Sequence, residues 1–327
     1  LKEGLKHIVI LVCLLIVAFV ANIILAGSSV LKFSEINFAD YIFTNIRLSK
    51  ALTALLCGIS LPIAGQILQV LFRNPLAGPY VLGISSASSL AVGIAIMTLN
   101  TFGVMGYLFF SKTAIILAAF AGSLCCTLLI LFVAKKVNSN VFLLLIGLML
   151  GQIFGALESF IEYFSTDKGL REFVMWSFGS LGNSSYIDIS IFAFIGIILL
   201  VVLFLLTKPF QVFLVGQNYA NSLGVDFAKY RMYFIVISSL LTALATAFCG
   251  PIAFVGLSIP IMTRLIYKTS DQKFQLAACL LLGGITMLVC DTLCYTILPD
   301  RVIPINVITT LFGSPFIIYL LFKTRNW

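Results

Sequence analysis

Few residues in this chain could carry out a reaction. His7 is its only histidine and stands near the N-terminus, so a serine–histidine–acid set has no base and most hydrolytic chemistry no proton carrier. The sequence contains neither a Walker A phosphate-binding pattern nor a zinc-ligand cluster. The eight cysteines, at 13, 57, 125, 126, 249, 279, 290 and 294, lie inside apolar runs. Cys290 and Cys294 share a helix face, and all eight read as small packing residues rather than disulfides or metal ligands. Glu158 and Glu162 stand one helical turn apart and could face a vestibule. A proton relay would need an intramembrane histidine or lysine beside them, and the sequence has no matching one. No metal, cofactor or catalytic residue is therefore expected, and the chain is not read as an enzyme.

What remains is polarity placed where it is expensive. Gln66 and Gln69 fall in an apolar run, where a primary amide must face the helix bundle or a wet path. Arg47 and Lys50 stand at the mouth of the same run. The segment Lys135-Lys136-Val137-Asn138-Ser139-Asn140 is a short polar loop. Residues 216–225, GQNYANSLGV, form a polar island between two membrane-length apolar runs. A short helix over Gln217, Asn218, Tyr219, Ala220, Asn221, Ser222 and Leu223, closed by Gly224 in the left-handed conformation, would lie flat against the membrane.

Composition names the elements that must position these groups. Of the residues 61% are hydrophobic and 10% charged, with a mean hydropathy of +1.14, against roughly 25% charge in soluble domains. The fold class expected is an all-α integral membrane protein, a single transmembrane domain over 1–327. At about 20 residues per span, the chain holds about ten helices. They fall at 6–26, 50–71, 80–98, 113–134, 141–163, 187–207, 230–249, 256–268, 275–293 and 305–322. The run from Ile8 to Ala26 is long for the apolar core of a signal peptide and reads as the first span. The eighth span is the weakest. It follows GPIAFVGLSIP, whose Pro251 and Pro260 cannot both sit in an unbroken helix, so a half-helix or re-entrant segment is expected there, with a kinked packing helix as the plain alternative. With the N-terminus inside, this layout puts thirteen of the twenty Lys and Arg on the inner side, Arg73 among them at the lipid headgroups. Both termini and the polar island are then cytoplasmic. The net charge of +8 needs no nucleic-acid partner, because anionic membrane lipid accounts for it.

The polar groups also fall into an ordered set of motifs. Arg47-Leu48-Ser49-Lys50, Gly65-Gln66 with Gln69, Arg73-Asn74-Pro75-Leu76-Ala77 and Leu82-Gly83-Ile84-Ser85 come first. Gly179-Ser180-Leu181, the island 216–225, Gly250-Pro251-Ile252, Phe254-Val255-Gly256-Leu257 and Gly313 with Pro315-Phe316 follow. Over almost its whole length the chain thereby resembles the permease subunits of ATP-binding-cassette (ABC) importers for iron-siderophores, haem and cobalamin. The resemblance implies a homodimer or close heterodimer of permeases in a bacterial inner membrane. It also implies two ABC ATPase subunits on the cytoplasmic side and an extracytoplasmic substrate-binding protein, with short coupling helices meeting the ATPases. In those terms Gln217 to Gly224 are the ATPase-coupling segment, Arg47 and Lys50 receive acidic side chains of the binding protein, and Asn138, Ser139 and Asn140 form a cytoplasmic gate. Interfacial snorkelling remains open for the two cations, and a solvated turn for the three polar residues.

Three departures stand out. Tyr295 follows Asp291-Thr292 where relatives often carry an arginine, for which Arg301 could compensate; Pro260-Ile261-Met262-Thr263-Arg264 lacks a common histidine; Asn306 stands where glycine is common. The competing function is a secondary transporter driven by an ion gradient. It explains the hydropathy equally well, yet it leaves the charge-free island unexplained and lacks the usual midplane carboxylates. Nothing in the motifs separates haem from a ferric siderophore or cobalamin.

Overall fold

The computed structural model describes residues 2–25, 41–101, 112–137, 139–216, 222, 224–298 and 301–323, and the described residues contain helices and no strand. In chain order the helices are α1 (Lys2–Leu25), α2 (Ser49–Phe72), α3 (Ile84–Thr101), α4 (Lys112–Lys136), α5 (Asn140–Tyr163), α6 (Asp167–Ser177), α7 (Tyr186–Leu205), α8 (Thr207–Val215), α9 (Phe227–Cys249), α10 (Val255–Tyr267), α11 (Gln272–Thr296) and α12 (Ile305–Lys323). A π-helical turn, Ile42–Leu48, leads into α2, and a 3-10 turn, Pro79–Leu82, precedes α3. Seven helical stretches are long and apolar enough to cross a bilayer, and Ile84–Met97, Val255–Tyr267 and Ile305–Tyr319 are shorter apolar helices. Together they match the expected set of about ten.

Local chemistry sets the boundaries. Thr166 and Ser185 accept backbone N–H bonds at the starts of α6 and α7, and Asp188 returns the bond to Ser185 in a capping box. The separate helix α8 is not foreseen from hydropathy, which runs on past residue 205. Pro209 explains it: the ring has no N–H and collides with the carbonyl four residues back, so α7 stops at Leu205 and a new helix starts with the proline in its first turn. The weak eighth span is a half-helix, α10, with Pro251 outside it and Pro260 inside. Asn306 Oδ1 accepts the N–H of Ala253 at 3.0 Å, holding the extended entry to α10. A glycine at 306 could not make that bond.

Nearly all of α2 is buried; it packs against α9, α10 and α11, with α1, α4, α5 and α7 farther out. Apolar side chains on the outer helices, such as Ile16, Leu117, Leu128, Phe132 and Phe194, are exposed, as a lipid-facing surface requires.

Two proline–glycine pairs let the backbones around α2 touch. Pro62 leaves the carbonyl of Gly58 without its helical donor, and Gly283 of α11 covers that oxygen so closely that a methyl on Gly283 would lie 2.1 Å from it. Pro260 does the same for Gly256, whose oxygen would lie 1.6 Å from a methyl on Gly65. Where lipid removes the usual hydrophobic drive between helices, such close backbone contact is what holds them. Gly65→Ala and Gly283→Ala should each destabilise the protein by about 1–3 kcal/mol or more, since the obstructing atoms are backbone and cannot step aside. Gly155, with nothing within 4 Å of its missing methyl, is the neutral control. Thermal unfolding in detergent reads the difference, and equal midpoints for all three variants would contradict the packing described.

Candidate coupling and docking sites

The two ends of α2 carry the polar chemistry, separated by its 24 residues, about 36 Å of helix. At one end Arg73 closes α2 in the left-handed conformation, its N–H on the carbonyl of Val70. Its guanidinium caps another helix: Nε donates to Phe213 O at 3.1 Å and Nη2 to Leu214 O at 3.2 Å. These are among the last carbonyls of α8, which have no donor within their own helix and attract a cation. The sequence places Arg73 at lipid headgroups; the structure makes it a strut between α2 and α8.

Asn140 forms a second strut. Its Nδ2 donates to Leu71 O at 2.7 Å, and its Oδ1 accepts from Arg231 Nη1 at 3.4 Å. Arg231, on α9 and 4% exposed, also donates to Val137 O at 2.8 Å and to Ala134 O, so it caps α4. Of the expected gate residues, then, Asn140 is committed inside its own subunit, Ser139 caps α5 through Phe142 N–H, and Asn138 lies outside the described residues. Beneath them the rings of Phe213 and Phe227 stack at 4.1 Å, with Phe234 edge-on to Phe213 at 5.1 Å, joining α8 to α9.

That joint flanks the polar island. Gln217, Asn218, Tyr219, Ala220, Asn221 and Leu223 lie outside the described residues. Ser222 is helical and exposed, and Gly224 has φ +72°, the left-handed cap expected of it. Gln69 and Gln66 answer the question the sequence left open by facing the bundle. Gln69 donates to Leu257 O at 3.0 Å and accepts from Arg264, bridging α2 to α10, and Gln66 donates to Gln272 of α11 at 3.3 Å.

At the other end of α2, Arg47 and Lys50 are 4% and 3% exposed. Arg47 Nη1 donates to Ile23 O and Ile24 O, both at 3.0 Å, capping α1. Lys50 Nζ lies 3.4 Å from Asp291 Oδ2 and 3.5 Å from the centroid of the Tyr295 ring. Asp291 also accepts from Asn22 of α1 at 2.8 Å. Asp291 is itself buried, 3% exposed, as the partner of Lys50. Direct docking of acidic side chains on Arg47 and Lys50 does not fit this arrangement, because both cations are already engaged within the chain. The departure at Tyr295 has a local reason too, since an aromatic face holds the Lys50 ammonium where an arginine would repel it.

Exposed cations at this end lie elsewhere. Lys168 and Arg171 of α6 and Lys112 of α4 border a cleft of about 680 Å³ walled by Ile115, Ile116 and Trp176. Lys112 pairs with Asp188 at 2.5 Å. Sequence reasoning missed Asn22, Asp291, Arg73 and Arg231 as partners. The first two are polar residues inside apolar runs, a signal that could have flagged them.

Residues 8–323 match the FecCD transport family. The chain belongs to that family. Similar to it is the hemin transport system permease protein HmuU of Yersinia pestis, 31% identical over 287 residues, covering 88% of this chain and 84% of the relative. The vitamin B12 import system permease protein BtuC of Pectobacterium atrosepticum is 30% identical over 324 residues, covering 98% and 94%. A solved structure assigned to a metal-chelate type ABC transporter in an inward-facing conformation superposes with a TM-score of 0.85 at 28% identity, covering 98% of this chain and 99% of its own. PsaBC of Streptococcus pneumoniae, with a TM-score of 0.59 at 16% identity, shares the fold alone. The chain is thus a FecCD permease subunit of the ABC-importer type, a multi-pass membrane protein.

Proposed function

We propose that this permease moves a chelated metal, an iron chelate, haem or cobalamin, into the cytoplasm as one half of a dimeric pore. Two ABC ATPase subunits drive it and an extracytoplasmic binding protein feeds it. The observation that carries the reading is the likeness along nearly the whole chain to permeases named for hemin and vitamin B12 import. The Arg73 end of α2 faces the cytoplasm in this reading. Lys135, Lys136, Lys208, Lys229, Lys268 and Lys273 are exposed at that end, in keeping with the preference for cations inside. Both termini then lie in the cytoplasm of a bacterial inner membrane.

The segment from Gln217 to Gly224 is the contact for the ATPase. Its flanks are welded together by Phe213 and Phe227, so a push on it moves α8 and α9 as a unit. ATP binding favours one packing of the bundle and product release the other, which is a shift of population between two states. Outside, the binding protein meets the exposed cations of α6, while Lys50 becomes available to it only if its buried pair with Asp291 opens, and Arg47 only if it leaves the carbonyls of Ile23 and Ile24. An iron chelate is favoured over cobalamin on the breadth of the family.

Purification in mild detergent tests the assembly. The complex should carry two permease copies and two ATPases by light scattering and should hydrolyse ATP. A permease that purifies alone from cells producing all the components, with no ATPase at any stage, would support the ion-gradient alternative.

A further inference from the structure

Five polar side chains meet inside the apolar body of the protein where α2, α10 and α11 join. Gln66 Nε2 of α2 donates to Gln272 Oε1 of α11 at 3.3 Å, and Gln69, one turn further along α2, accepts from Arg264 of α10. Gln275, one turn along α11 from Gln272, donates to Thr269 O at 3.0 Å. Residues three apart on a helix share a face, so these bonds turn all five side chains toward one junction.

The same bonds leave three atoms unmatched. Gln66 Oε1, Gln275 Oε1 and Arg264 Nε are sealed from solvent and have no partner in the protein. Gln66 and Gln275 are 3% and 1% exposed, so bulk water does not reach their amides. Reversing either amide gives no relief, because it would set oxygen against oxygen at Gln272 or at Thr269. Arg264 belongs to none of the ion pairs among the described residues, so no carboxylate is paired with its charge. Buried polar groups left like this are costly, and the cost is greatest beside a charge.

Two acceptors and one donor select the ligand. A cation would suit the two oxygens but would lie against the guanidinium. An anion would suit Nε but would face both oxygens. Water is neutral, donates twice and accepts as well, and buried waters make about three hydrogen bonds to groups that are otherwise unsatisfied. We propose that the junction of α2, α10 and α11 binds ordered water, which donates to Gln66 Oε1 and Gln275 Oε1 and accepts from Arg264 Nε. The half-helix α10 is then held to α2 in two different ways. Near its start the contact is dry, since a methyl on Gly65 would lie 1.6 Å from Gly256 O. Eight residues later, at Arg264, the contact runs through the glutamine amides and their water. Gln66 and Gln69 thus face the bundle and a wet site at once, and this holds whatever substrate the permease moves.

Electron cryomicroscopy of the purified permease with its partner subunits in lipid nanodiscs, at a resolution that shows ordered water, tests the proposal. Density should lie within hydrogen-bonding distance, about 2.7–3.2 Å, of at least two of the three unmatched atoms. It should be unchanged when sodium chloride is replaced by rubidium bromide, whose ions scatter far more strongly. Density that touches fewer than two of these atoms overturns the proposal, as does a junction in which they bond directly to other protein groups. Density that strengthens in rubidium bromide overturns it too, because the ligand would then be an ion.

Discussion

Replacing Lys50 with methionine should destabilise the folded protein by about 3–5 kcal/mol. The ammonium and the carboxylate of Asp291 are 3.4 Å apart with side chains 3% and 4% exposed, so neither has water to fall back on. Removing the cation leaves Asp291 buried beside Asn22, whose amide also serves Leu288 O and Thr292. Three helices then lose their common tie, since Asn22, Lys50 and Asp291 belong to α1, α2 and α11. Much of the loss is the desolvation of an unpaired charge rather than the worth of the pair. For that reason Lys50→Met combined with Asp291→Leu should recover most of it. Thermal unfolding of detergent-purified single and double variants reads both numbers. A single variant as stable as the parent would mean that water reaches the pair.

Placing aspartate at both Ala220 and Leu223 should release the ATPase altogether. The proposed coupling segment carries no charge between Gln217 and Gly224, so an added carboxylate there would enter a contact that offers it no matching charge. Burying one uncompensated carboxylate there costs on the order of 3 kcal/mol, about a hundredfold in affinity, and two cost more. Binding-protein affinity, governed at the far end of α2, should stay at its wild-type value. Pull-down of the ATPase in detergent, with binding-protein titration on the same sample, separates the two ends. An ATPase that stays bound to the double variant would remove segment 217–223 from the coupling interface.

Most of the architecture was legible because span length and breaker residues are local properties. The helix over Val255–Tyr267 follows from Pro251, and the cap at Gly224 from a glycine after a short polar run. The break before α8 was equally local, since Pro209 was in plain sight, yet apolar residues on both sides masked it. Pairings between helices were not legible. Arg73 reaches Phe213 O from 140 residues away in sequence, and Asn140 reaches Leu71 O from 69. Hydropathy likewise cannot see that Lys50 and Asn22 reach Asp291 from α2 and α1. The docking role of Arg47 and Lys50 is what the family resemblance implies. Their burial shows that a cation at a helix mouth can equally serve to cap a neighbouring helix and to neutralise a buried acid.

The most direct measurement is uptake of a radiolabelled iron chelate into proteoliposomes holding the permease and its ATPase, with the binding protein outside and ATP enclosed. Proton and sodium gradients are abolished by ionophores. Accumulation should require hydrolysable ATP and persist without any ion gradient. Accumulation that needs the gradient and proceeds without ATP would contradict an ABC importer and establish a secondary transporter instead.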